Sequence, residues 1–295
     1  MPSWIFLVIL AQFLNAIVVL NDRYIVASRV VSKPIVYTFY VGLLSAFVLV
    51  ILPFGQVTMP APETIAISLA AAVCFIFSVF FLYESLLTSN PSEVMPIVGG
   101  MAALSTFLAG SIILEEALPG HFLTGFLILI LGMILISHFK FSKRSFLFLI
   151  GSGILFGLST ILIKTIFTYE TLINGFFWSR MANVVAACWL LLLPGIYKAV
   201  KKDFSKSSGH KKKLILGNKI LAGLAFMLIL IAIKYGNTSI VNALVATQYI
   251  FLLIFALVFS KKFPEYFSEK FHKHELLHKI SATLLIVIGF FVLFI

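Results

Sequence analysis

Charge is what this chain has least of. Only 11% of its 295 residues are Asp, Glu, Lys or Arg, while 61% are hydrophobic and the mean hydropathy is +1.11. A soluble chain is roughly one-quarter charged. This one has too much apolar surface to hide in a single core, so the solvent for most of it is lipid. Cysteine is nearly absent: Cys74 and Cys188 both sit in apolar runs, which excludes a disulfide framework. No G-x-x-x-x-G-K-[ST] occurs, so a nucleotide loop that would drive pumping by ATP is missing. Polar and apolar residues do not alternate along the runs, which excludes the outer-membrane barrel pattern.

What is present is a series of long apolar runs. Ten are read: Trp4–Leu20, Ile35–Phe54, Thr64–Leu87, Val94–Leu114, His121–Ser137, Phe146–Phe167, Leu172–Leu193, Leu214–Ile233, Ile240–Phe259 and Ile280–Ile295. Each approximates the 17–25 residues of a spanning helix, the fifth and last being short. Helices satisfy their own backbone hydrogen bonds in lipid, so the expected fold is an all-α integral membrane protein with ten transmembrane helices. Nothing positive precedes the first run, and Asp22 and Arg23 follow it as flanking charges, so it reads as a retained span.

The net charge of +11 raises nucleic acid as a partner, but its placement argues against that. Nineteen of the 22 basic residues fall in odd-numbered connections: Arg23, Arg29 and Lys33 in the first; Lys140, Lys143 and Arg144 in the fifth; eight lysines from Lys198 to Lys219 in the seventh; five from Lys261 to Lys279 in the ninth. The positive-inside rule then puts those connections in the cytoplasm and both termini outside. Attraction of the lysines to anionic headgroups fits the same placement.

The chain also matches itself. "VVLNDRYIV" lies over "STILIKTIF" at an offset of 141, and "SNPSEVMPI" over "GNTSIVNAL" at 147. Gly125 and Gly132 answer Ala282 and Gly289 at 157, the difference arising from an insert in the ninth connection. Residues 1–139 and 140–295 thus read as two five-helix repeats, the second carrying a basic loop (195–219) and an amphipathic insert (261–279). Five is odd, so one repeat is inverted relative to the other. That arrangement places a site at the midplane between halves that rock.

The stretch "FLYESLLTSNPSEVMPIVGGMAALSTFLAGSIILEEALPGHFLTGFLILILGMILI" resembles the EamA-type repeat of the drug/metabolite transporter superfamily. Pro96 stands where that repeat has a proline, and Leu114-Glu115-Glu116 where it has L-G-E. Gly125 follows Glu116 by nine residues. Arg23 and Lys164 match the basic residue that ends the first helix of each repeat, and Arg180 the arginine often seen in the next helix. The chain departs from the pattern at Glu115, at Ser260-Lys261-Lys262-Phe263 and at Phe39, which occupies the place of Arg180 in the first half. The family is usually drawn with cytoplasmic termini, the reverse of the charge reading. The resemblance implies a secondary transporter of small metabolites.

One motif points elsewhere. His274-Glu275-Leu276-Leu277-His278 is a literal H-E-x-x-H, the spacing that sets two zinc-binding imidazoles on one helical face. A zinc protease needs a third protein ligand. The seventeen residues after His278 contain no Asp, Glu, His or Cys. With Phe263, Tyr266, Phe267 and Phe271 on one face, the segment reads instead as an interfacial amphipathic helix. Metal or pH regulation at that rim by His272, His274 and His278 is the remaining functional reading.

Charges inside spans are costly and normally face a partner or a wet cavity. Arg180, deep in the seventh run, is the leading substrate-binding candidate. Lys164 either joins it or snorkels outward, and Lys234 snorkels from a helix end. Gln12, Asn15, Asn183 and Gln248 are neutral candidates that either touch substrate or join helices. Glu84 is nominated for coupling, by carrying a proton, or for an ion pair. Glu93 suits a helix N-terminus, while Glu115, Glu116 and Glu170 read as solvated. The expected function is export or exchange of a small polar or anionic metabolite across the cytoplasmic membrane, coupled to a proton or counter-solute. No enzyme activity, cofactor, resident metal or nucleic-acid partner is expected. The other readings are the membrane zinc metalloprotease and a non-transporting membrane scaffold.

Overall fold

The computed structural model describes residues 3–55, 57–115, 120–137, 142–206, 208–235, 244–259 and 273–294. Glu116, Lys140, His272 and most of the insert 261–279 lie outside the described residues, as do the side chains of Lys234, His274 and Glu275. Every described element is helical: α1 (Ser3–Ala27), α2 (Pro34–Leu44) running on as a 3-10 helix (Ser45–Phe54), α3 (Pro62–Leu86), α4 (Pro91–Ile113), α5 (Phe122–Ser137), α6 (Lys143–Tyr169), α7 (Leu172–Leu190), α8 (Ile196–Lys206), α9 (Gly209–Tyr235), α10 (Thr247–Phe259) and α11 (Lys273–Phe294). Among the described residues, five helices are long and apolar enough to cross a bilayer, and three more are apolar but shorter. The chain is an all-α, multi-pass membrane protein.

Local chemistry sets the ends. Pro34, Pro62 and Pro91 open α2, α3 and α4 at the position where a missing N–H costs nothing. Ser142 and Thr171 cap α6 and α7 by accepting from the backbone N–H of Ser145 and Asn174. Gly55, at φ 68°, ends the 3-10 segment.

Several boundaries differ from the sequence reading. Asp22 and Arg23 do not flank the first helix. α1 continues to Ala27, and both residues are buried within it. Lys219 and Lys279 likewise belong to helices rather than connections. The seventh connection contains a helix of its own, α8. Its Ala199 and Val200 pack on the core, while Tyr197, Lys198, Lys201, Lys202 and Phe204 are exposed.

Packing is tightest where small residues let helices approach. α5 crosses α11, and at Gly132 a side chain would meet the Ile286 backbone N at 3.0 Å. At Gly289, on the other helix, it would meet the Leu129 backbone N at 2.9 Å. α3 packs on α6, where the Ser159 hydroxyl donates to the Ala71 carbonyl at 2.9 Å. α1 packs on α9, where Asn218 Nδ2 donates to the Val18 carbonyl at 3.3 Å. Gly42 brings α2 against Asn183 and Ala187 of α7.

Candidate functional site

Two tiers of polar side chains lie in the bundle. The first is built around Arg180. The start of α7 is fixed by its Thr171 cap and by the loop before α3: Asn174 Oδ1 accepts from Thr58 N–H at 3.1 Å, and Trp178 Nε1 donates to the Thr58 carbonyl at 2.9 Å. Two residues further, the partly buried Arg180 guanidinium sits over the Phe226 ring of α9 at 4.6 Å and the Phe176 ring at 5.3 Å. Those rings stack with centroids 5.6 Å apart. Their faces attract the cation but do not neutralise it, and among the described residues no carboxylate pairs with Arg180.

Gln12 of α1 stands near the same depth, with Asn15 almost a turn below it. Val18 is level with Asn218 through their hydrogen bond. Counting outward at 1.5 Å per residue, Gln12 is about 9 Å above that level and Phe226 about 12 Å. Asn15 donates to Gln12 Oε1 at 3.3 Å. Gln12 is only 1% exposed, and its Nε2 has no partner among the described residues. An unmet buried donor costs about 1–3 kcal/mol, which a ligand acceptor would relieve. Asn183 and Gln248 are buried, Asn183 with its backbone against α2.

Two nominated residues stand apart from this tier. Lys164 is exposed near the C-terminal end of α6. Glu84 is partly buried on α3, with Arg144 of α6 within electrostatic reach.

The second tier was not anticipated. Asp22, 7% exposed in its side chain, receives Lys219 Nζ at 2.9 Å and Asn218 Nδ2 at 2.7 Å on Oδ1, where the Tyr37 hydroxyl also donates. The Tyr83 hydroxyl donates to Oδ2 at 3.3 Å. Tyr37 and Tyr83 stack at 4.6 Å, and the Lys219 ammonium lies 4.9 Å from the centre of the Tyr37 ring. Four helices therefore meet at one carboxylate. Nearby, Arg23 Nε donates to the Ser89 carbonyl at 3.2 Å. Glu93, expected only to suit a helix start, accepts from buried Lys279 of α11 at 2.7 Å. A sequence signal existed. No Pro or Gly separates Asp22 from "RYIVA", so the helix had no reason to stop, and Lys219 has apolar turns on both sides.

The zinc motif falls partly outside the described residues. Where it is described, His278 Nε2 lies 3.0 Å from the Leu135 carbonyl of α5. When Nε2 donates to that carbonyl, metal ligation falls to the other ring nitrogen.

No family model matches the chain, and no curated protein matches it. Twenty-one solved chains are similar in structure. One of them, described only as the crystal structure of a protein, is 16% identical with a TM-score of 0.59, over 98% of this chain and 96% of that one. The likeness shows that the helical fold recurs in a solved protein.

Proposed function

We propose that the chain is a secondary transporter of the EamA type, with ten transmembrane helices in two inverted five-helix repeats. It moves a small polar or anionic metabolite by alternating access. Contacts that recur at the repeat offsets carry this reading. Leu129 and Gly132 stand 157 residues before Ile286 and Gly289, and each glycine meets the other helix at the equivalent residue. Val18 and Ser159 are 141 apart, Ala71 and Asn218 are 147 apart, and the contact of Ser159 with Ala71 answers that of Val18 with Asn218. Such duplication favours two halves related by a pseudo-twofold axis, with a site between them.

Arg180 supports the substrate class. A guanidinium without a carboxylate at membrane depth is costly, and a carboxylate or phosphate on the substrate supplies charge-assisted hydrogen bonds. Gln12 adds a neutral polar group near that depth, and Asn15 one almost a turn below it. Asn183, Gln248 and Lys164 remain candidates, with Glu84 for coupling to a proton or counter-solute. The lysine-rich end faces the cytoplasm of the inner membrane in this reading, with the termini outside.

The metalloprotease reading needs a third protein ligand, and among the described residues no group of three His, Cys, Asp or Glu is placed to hold a metal ion. The scaffold reading predicts no saturable ligand. A thermal-shift screen across carboxylates and phosphorylated metabolites tests the proposal. A hit should stabilise the wild-type protein and lose at least tenfold in affinity in Arg180→Ala. Stoichiometric bound zinc, with activity lost in Glu275→Gln and kept in Arg180→Ala, would instead establish the protease.

A further inference from the structure

Lys219 shares a face of α9 with Phe226, the ring beneath Arg180. The two positions are seven residues apart, which is two turns or about 10 Å along the axis. Asp22 shares a face of α1 with Asn15 by the same spacing. α1 and α9 pack antiparallel and in register at Val18 and Asn218. Arg180 and Phe226 form the upper level and Asp22 and Lys219 the lower one, and Asn15, about 4.5 Å above Val18, lies between them. The upper cation has no counter-ion among the described residues, whereas the lower one has Asp22.

The repeat offsets sharpen the contrast. At 141 the counterpart of Asp22 is Ile163, and at 147 the counterpart of Lys219 is Ala72. Symmetry alone would give both ends of the bundle the same closure. This chain has apolar residues at one set of these positions and an ion pair at the other. A charge pair is an expensive way to seal helices in lipid, since apolar side chains of similar volume often do as well or better. The pair also has somewhere to go. If Lys219 leaves, Asp22 keeps the Tyr37 and Tyr83 hydroxyls and Asn218 Nδ2 as donors.

We propose that Lys219 is a second anion-binding residue of the transport site, held by Asp22 in this conformation, and that the pair closes the lysine-rich end until an anion takes the place of the carboxylate. An anion leaving Arg180 toward that end reaches Lys219 next. Neutralising it there frees α9 from α1 and from the α2–α3 tyrosines. The inference rests on the transport reading for its purpose, but the latch itself is measurable without flux.

Asn15→Cys, in a Cys74→Ser/Cys188→Ser background, places a thiol between the tiers. A membrane-impermeant thiol reagent is then applied from the lysine-rich side of reconstituted vesicles. The parent should label slowly. Asp22→Asn and Lys219→Met should each label at least tenfold faster, and the swap Asp22→Lys/Lys219→Asp should return to the parent rate. Inorganic phosphate should slow labelling in Asp22→Asn severalfold more than in Lys219→Met, which keeps Arg180 alone. Single-variant rates within twofold of the parent, or a swap that stays fast, overturn the latch. A misfolded population would give the latter, because restoring the charges would not reverse it. Phosphate acting equally on both variants, or on neither, overturns the anion role of Lys219. Latch behaviour in a chain that moves no solute would sink the transport reading and spare the latch. Flux with an unresponsive latch would do the reverse.

Discussion

At the scale of single residues, this molecule turns on how it handles a few charges in an apolar medium. Glu93 and Lys279 are nearly dry, with side chains 13% and 4% exposed, and they join α4 to α11 across 186 residues of sequence. Removing one partner strands the other, at about 3–5 kcal/mol. Glu93→Gln and Lys279→Met should each lower the thermal midpoint in detergent markedly. The double variant Glu93→Leu/Lys279→Leu should recover most of the loss, because neither charge is then left alone. A double variant no better than the worse single one would show that the pair contributes something beyond mutual neutralisation. Among the described residues Arg180 has no such partner, so Arg180→Ala should leave the midpoint within a few degrees while removing ligand stabilisation. These residues were the hardest to read from sequence. Asp22, Lys219 and Lys279 lay beside basic clusters and read as flanks. What pairs them, a residue almost two hundred positions away, leaves no local trace. Arg180 was legible because no neighbouring charge offered it a bland role.

At the scale of elements, apolar length located the helices, and small residues decided how they cross. Gly132 and Gly289 bring α5 and α11 to backbone contact, whereas Gly217 and Gly223 on α9 have open space around them. Gly132→Val or Gly289→Val should therefore destabilise strongly and reduce the folded yield. Gly223→Ala should be neutral or raise stability by about 0.5–1 kcal/mol, the usual helix preference of alanine over glycine. Size-exclusion profiles and thermal midpoints of the three variants give the comparison; equal effects would mean that the α5–α11 crossing is not close. α8 was legible in principle. "IYKAVKKDFSK" has helical apolar spacing, with its one acid turned inward, where Asp203 accepts from the Ser32 N–H and the Tyr40 hydroxyl. The lysine count drew attention to charge and away from period. The 3-10 half of the second span was not legible, since "SAFVLVILPF" is apolar on every face and periodicity cannot separate the two helix types.

At the scale of the whole molecule, the described ion pairs gather at one end of the bundle. Asp22, Tyr37, Tyr83, Glu93, Lys219 and Lys279 all lie where the lysine-rich α8 and the start of α9 are found. Placing that end in the cytoplasm predicts that a reporter active only in the cytoplasm will work when fused within 207–208, and that one active only outside will not. The opposite result would invert the orientation without altering the packing. The proposed repeat rests in sequence on weak matches at three offsets, and helix contacts that recur at those offsets support it. The substrate was not legible, because the positions that would recognise it are single polar residues scattered over α1, α7, α9 and α10.

The most direct measurement is solute flux. Purified protein in vesicles should move the carboxylate or phosphate ligand found by thermal shift, saturably and without ATP. Vesicles carrying Arg180→Ala should behave like protein-free ones. A ligand that binds wild-type protein yet crosses the bilayer no faster than in empty vesicles, with either solute gradient or a pH gradient imposed, would contradict transport as the function of this chain.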